Sequence, residues 1–94
     1  MSMNKAYKTS DHLKTNEDRA AYIEAAIEEQ DDGFLLVALR EVIDSFGGIG
    51  QLAKSTGLAR ESLYRSLSEN GNPRYSTITK VLDEMGLKLT VSIK

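Results

Sequence analysis

Polar side chains crowd one short stretch of this chain. In "TGLARESLYRSL", residues 56 to 67, Arg60, Glu61, Ser62, Tyr64 and Arg65 surround the apolar pair Leu63 and Leu67. On a helix, Leu63 and Leu67 fall on one side, and the two arginines, Glu61 and Tyr64 point away from it. Arginine can make a paired hydrogen bond to guanine, and glutamate can accept from cytosine N4, so this is a set able to read base edges. Ser62 is placed to touch a base or a phosphate, or to cap the helix. Gln51, upstream, can meet a phosphate together with nearby backbone N–H groups at a helix start. Lys54, Arg74, Ser76, Thr77 and Lys80 are further phosphate candidates. The competing reading is a set of solvated surface side chains.

Catalytic and metal chemistry find no such cluster. His12 is the single histidine and there is no cysteine, so no second ligand completes a metal site. No catalytic residue, metal or cofactor is expected. The adjacent acids Glu28 and Glu29, and Asp31 and Asp32, read as solvated charge at a helix end. "GGIG" lacks the lysine and the preceding strand of a phosphate-binding loop. The absence of cysteine fits a reducing cytoplasm. No apolar run approaches the ~20 residues that span a bilayer, and the N-terminal stretch does not read as a secretory signal. A cytoplasmic protein with no membrane contact is expected.

The net charge of −2 hides an asymmetry. Residues 1–46 carry five Lys/Arg and ten Asp/Glu, a balance of −5, while residues 47–94 carry seven and four, a balance of +3. The basic half suits phosphates and the acidic half suits a basic protein.

The elements that would hold these residues are helical. Residues 1–14 lack periodicity and read as an irregular arm. Thr15 with Asp18 forms a capping-box pattern, and a first helix follows over about 16–30, with Ala20, Ile23, Ala26 and Ile27 as its apolar stripe. "DDG" at 31–33 breaks it and favours the next helix start. The second helix, about 33–46, carries Leu35, Ala38, Leu39, Val42 and Phe46 on one stripe. Leu36, Val37 and Ile43 lie off that stripe, so this helix is central or touches a second chain. Gly47 and Gly48 end it. Ile49, Leu52, Ala53 and Thr56 share one side of a short helix that Gly57 stops. A further short helix spans Ala59 to Ser68. "ENGNPRY" is a turn. A last helix runs from Ser76 or Thr77 through Met85, with Ile78, Val81, Leu82 and Met85 inward, and Gly86 closes it.

A helix, a glycine turn and a second helix over about 49–68 match a helix-turn-helix. With Ile49 as the first position, Leu52 is fourth, Ala53 fifth, Gly57 ninth, Leu58 tenth and Leu63 fifteenth. Ala53 is small where the helices cross, Gly57 can take a positive φ, and Leu52, Leu58 and Leu63 fix the angle. Leu67 lies one residue beyond the usual apolar place, with Ser66 there instead, which implies a slightly longer or rotated second helix. In the tail, Leu87, Leu89, Val91 and Ile93 alternate with Lys88, Thr90, Ser92 and Lys94. That period of two reads as one strand over 87–94, pairing with its copy across a dimer. The expected fold class is therefore all-α: a compact five-helix domain over 15–86 with a helix-turn-helix, plus this short C-terminal β-strand.

"IGQLAKSTGLARESLYRSLSENGNPRYSTITKVLDEMGLKL" resembles the HigA-like antidotes of bacterial addiction modules, of the xenobiotic-response-element (Cro/repressor) helix-turn-helix type. "NEDRAAYIEAAIEEQDDGFLLVALREV" upstream is similar to the same family, and the resemblance covers roughly residues 10–92. It implies a homodimer that binds double-stranded DNA at an inverted repeat in its own promoter. It also implies neutralisation of a small RelE/HigB-like ribonuclease toxin, which would be basic. The acidic half would then meet the toxin around Tyr7, Leu13, Tyr22, Glu24, Glu28 and Glu29, leaving 49–68 free. Two other readings compete: a stand-alone Cro/repressor-type regulator without a toxin, and a helical protein-interaction module that binds no DNA.

Overall fold

The capping box at Thr15 is formed. The Thr15 hydroxyl accepts from the Asp18 backbone N–H at 3.1 Å, and the Asp18 carboxylate accepts from the backbone N–H groups of Thr15 and Lys14 at 3.2 and 3.1 Å. Such reciprocal bonds satisfy donors that a helix start leaves orphaned. The computed structural model describes residues 9–68 and 70–94. From this cap runs α1, Asn16–Glu28. Gln30 then takes a positive φ of 57°, and Asp31 caps α2, Asp32–Ser45, by accepting from the Phe34 N–H at 3.1 Å. The three remaining helices are α3, Gly48–Thr56, α4, Arg60–Ser66, and α5, Tyr75–Glu84. Among the described residues the fold is all-helical, with these five α-helices and one short 3₁₀ turn at Thr9–His12.

α2 is the central element. It packs against α1, α3 and the Thr9–His12 turn, while α3 also touches α4 and α5. Leu36, Leu39, Val42 and Ile43 of α2 join Leu52, Leu63, Leu67, Val81, Leu82 and Met85 in one core. The buried face of α2 differs from the stripe expected from spacing: Leu35 and Phe46 are only half-buried, and Leu36 and Ile43 take their place. The cause is a helix apolar nearly all round, where periodicity cannot choose which neighbours cover which side. A polar seam locks α1 to α2. The Tyr22 hydroxyl donates to the Glu41 carboxylate, and the Arg19 guanidinium donates to the Ser45 hydroxyl at 2.9 Å. Arg19 also lies over the Phe46 ring, 5.5 Å from its centre.

Two expectations are corrected here. The arm is not irregular throughout, because residues 9–12 form the 3₁₀ turn on α2 and Leu13 is buried in the core. The tail forms no strand: residues 87–94 have no regular secondary structure. Its first residue is committed elsewhere. The Leu87 N–H donates to the Leu82 carbonyl at 2.8 Å and the Gly86 N–H to the Asp83 carbonyl at 2.9 Å, the paired bonds of a Schellman motif. Leu87 thereby folds back against the core, whereas Val91 and Ile93 are 99% and 100% exposed. An alternating pattern permits a strand, but a ladder also needs a second strand within reach, and no other described residue is in a strand.

Candidate nucleic-acid interface

α3 and α4 are joined by the turn 57–59, whose geometry depends on two residues. Gly57 has a φ of 78°, and its N–H donates to the Ala53 carbonyl at 2.9 Å. Thr56 bridges the turn: its hydroxyl donates to the Leu52 carbonyl at 2.8 Å and accepts from the Leu58 N–H at 3.2 Å. Leu58 is thereby drawn against the core, where it packs as a half-buried side chain. Ala53 is buried, as a close crossing of the two helices requires.

α4 then begins after Ala59, with no side-chain cap. Ser62 lies inside the helix and exposed, so the capping alternative for it does not hold. α4 is also shorter than its spacing implied, ending at Ser66. Leu67 still turns fully inward from the cap position, one helical turn after Leu63. Ser66 is half-buried and satisfies its hydroxyl locally by donating to the Leu63 carbonyl at 3.1 Å. The carbonyl of Leu67, left open at the helix end, accepts from the Arg40 guanidinium of α2. α4 is thus held from below by two leucines and at its end by one charged donor.

With Leu63 and Leu67 buried, the outer side of α4 faces solvent. Arg60, Glu61, Tyr64 and Arg65 line one open groove of about 750 Å³, together with Ser68. Tyr64 is 65% exposed, so it belongs to this surface and not to the core. Arg60 sits on the crest between this groove and a second one shared with Arg40, Glu41, Asp44 and Gly50. Its Nε lies 3.7 Å from where a side chain at Gly50 would begin, an ordinary contact distance that sets Arg60 beside α3. On the other flank, Ser62, Asn72, Arg74 and Thr77 line a groove of about 390 Å³.

The remaining expected residues are dispersed. Gln51 and Lys54 are exposed on α3, and Ser76 is exposed in the first turn of α5. The cap of α5 is Arg74, with no side-chain bond, so neither Ser76 nor Thr77 starts that helix. Lys80 lines a different groove along α5. Of the acidic-half residues, Glu24, Glu28 and Glu29 are exposed on α1 or just past it, Tyr22 is half-buried, and Leu13 is 6% exposed. Leu13 is therefore part of the core and not of the outer surface, a correction to its expected place. Tyr7 lies outside the described residues. Leu87, Leu89, Val91 and Ile93 do not act as a unit, because the first packs on the core and the last two are fully outside it.

Three contributors escape a reading of sequence. Ser68 lies one turn past Tyr64, a signal that its expected place at the helix end concealed. Asn72 looked like turn chemistry. Arg40 stands on α2, far away in the chain, and nothing in the local pattern marks it as the partner of the α4 terminus.

Similarity to known proteins agrees with the antidote resemblance. A family model described as "Probable addiction module antidote protein" matches residues 3–93. An uncharacterized protein of Haemophilus influenzae is 30% identical over 87 residues, which covers 93% of this chain and 89% of that protein. No solved structure matches the chain.

Proposed function

The chain belongs to the addiction module antidote family, and we propose that it is the antitoxin of a type II toxin–antitoxin module that both neutralises a toxin and represses its own operon. The observation that carries the DNA half is the groove of α4. Arg60, Glu61, Tyr64 and Arg65 share one open surface while Leu63 and Leu67 anchor the opposite side of the same helix. That is the arrangement by which the second helix of a helix-turn-helix enters the major groove. Arg60 and Arg65 would pair with guanine and Glu61 with cytosine. Tyr64 and Ser62 would flank them, and Gln51, Lys54, Arg74, Ser76 and Thr77 would hold phosphates and fix the register. A homodimer would present two such helices to an inverted repeat, with half-sites about one helical turn apart.

The toxin half rests on α1. α1 packs on α2, and its outer side shows Glu24 and Glu28, with Glu29 following at its cap. The single basic residue of α1, Arg19, is engaged with Asn16, Ser45 and Phe46. A basic RelE/HigB-like toxin would meet this face, with Tyr22 at its edge and Leu13 supporting it from beneath. Opposite fields speed such an encounter and favour the right partner. The proposed toxin-facing carboxylates stand on α1 and at its cap, and the proposed DNA-facing residues on and between α3, α4 and α5, so one complex would inhibit the toxin and still hold DNA. Electrophoretic shift of the DNA upstream of the gene, at fixed salt, tests the DNA half. Parental binding lost in both Arg60→Ala and Arg65→Ala supports it, and equal binding by all three removes α4 as the reader.

A further inference from the structure

We infer that the slot between α1 and the segment after α5 is where a basic protein partner inserts an apolar side chain. This rests on the toxin binding proposed above and names the anchor point of that contact. After Gly86 the chain runs back toward α1, where Ile23 and Ile27 of α1, Leu82 of α5, and Leu87 and Leu89 of the returning segment line one slot of about 80 Å³. Ile23 and Leu82 are buried and make its floor, whereas Ile27 and Leu89 are 43% and 41% exposed and make its mouth. The slot is far smaller than the grooves beside α4, of a size for one side chain and not for a duplex backbone. An apolar anchor seated in a pocket and ringed by polar groups is what concentrates binding energy at a protein interface.

The charges beside the mouth select a cationic partner. Glu24 lines the slot, and Glu28 follows one turn on, beside Ile27 in sequence. Both are exposed, as is Glu29, while Lys88 is the one cation lining the slot. Two of these placements weaken α1 on its own. Glu24 and Glu28 are like charges at i and i+4, which repel. Glu28 and Glu29 stand at the end of α1, where the macrodipole favours cations, and no basic residue lies in that last turn. A basic partner relieves both at once. A second copy does not, since its own slot brings one lysine against three carboxylates. DNA would set phosphate against the same carboxylates. The grooves flanking α4 share no residue with this slot, so docking here leaves α4 open.

Two variants of the full chain test this by calorimetric titration with the cognate toxin expected from a neighbouring gene, purified apart from this chain. Ile27→Ser with Leu89→Ser makes the mouth of the slot polar. Glu24→Gln with Glu28→Gln removes the charge and keeps the shape. Each should bind the toxin about tenfold more weakly than the parent, or worse, and bind DNA as the parent does. The glutamine variant should also unfold at a higher temperature than the parent, because both local repulsions are gone. Its loss of toxin binding then has no origin in a damaged fold. Variants that bind the toxin as the parent does, or a glutamine variant with no gain in stability, would overturn the inference and leave the proposed function standing. Serine substitutions that abolish self-association but not toxin binding would give the slot to a second copy and overturn it equally. A parent that binds no toxin overturns the proposed function and this anchor point with it.

Discussion

Gly57 is the point where the turn between α3 and α4 can be tested apart from any contact. A Cβ built there meets nothing within 4 Å, so substitution removes no packing and creates no clash. Its φ of 78° is the whole difficulty, because an L side chain in the left-handed region costs roughly 1–2 kcal/mol. Alanine also stiffens the unfolded chain, which offsets about 0.4–1 kcal/mol of that. Gly57→Ala should therefore lower unfolding stability by about 1 kcal/mol. Gly57→Asn should cost less, since asparagine can bond locally to its own backbone in this conformation. Gly71 provides the contrast. A Cβ there would sit 2.1 Å from the Ser66 carbonyl oxygen and 2.8 Å from that of Arg65, both backbone atoms at the end of α4. Gly71→Ala must displace main chain, and overpacking of this kind costs about 1–3 kcal/mol. Urea unfolding followed by far-ultraviolet circular dichroism gives all three values, with unchanged m marking an intact denatured state. The expected order of cost is Gly71→Ala, then Gly57→Ala, then Gly57→Asn. A neutral Gly57→Ala, or an asparagine as costly as alanine, would refute the argument from backbone conformation.

Other substitutions separate stability from recognition. Leu67→Ala should destabilise by about 2–5 kcal/mol in the same unfolding assay, because the side chain is 1% exposed and inside the core. Arg65→Ala should leave unfolding unchanged and weaken operator binding by about 1–3 kcal/mol at fixed salt if it reads a base. Arg40→Met should cost about 1 kcal/mol of stability through the lost bond to the Leu67 carbonyl, discounted because Arg40 is only half-buried. It should also weaken DNA binding without changing the slope of affinity against salt, since Arg40 would act on α4 and not on phosphate. Thr15→Ala should lower stability by about 1 kcal/mol through loss of the α1 cap.

What could be read from the chain was whatever local chemistry decides alone. Thr15 with Asp18, and Gly57 after a short amphipathic run, each fix their geometry within a few residues, and both stand where the spacing put them. The inward set of α5 was legible for the same reason: Val81, Leu82 and Met85 are buried, and Ile78 packs half-buried against them. Whatever depends on a distant partner was not. Leu36 and Ile43 displaced Leu35 and Phe46 from the core because α1 and α3, not α2 itself, decide which side is covered. Leu13 entered the core because the turn at 9–12 docks on α2. The tail illustrates the limit most plainly: its alternation is complete, yet Leu87 answers to the end of α5 instead. At the surface proposed to face DNA, the polar side of α4 was legible from Leu63 and Leu67, whereas Arg40 came from a helix that no local motif connects to it.

The claim at the centre of this account is that the chain is an antidote whose DNA-reading helix is not its toxin-binding surface. The direct test is growth of cells that express the cognate toxin expected from a neighbouring gene, together with either the parent chain or its Arg60→Ala, Arg65→Ala double variant. The account predicts that both restore growth to the same degree, although only the parent shifts operator DNA. Failure of the parent to restore growth would contradict the antidote assignment, and rescue by the parent but not by the folded double variant would contradict the separation of the two surfaces.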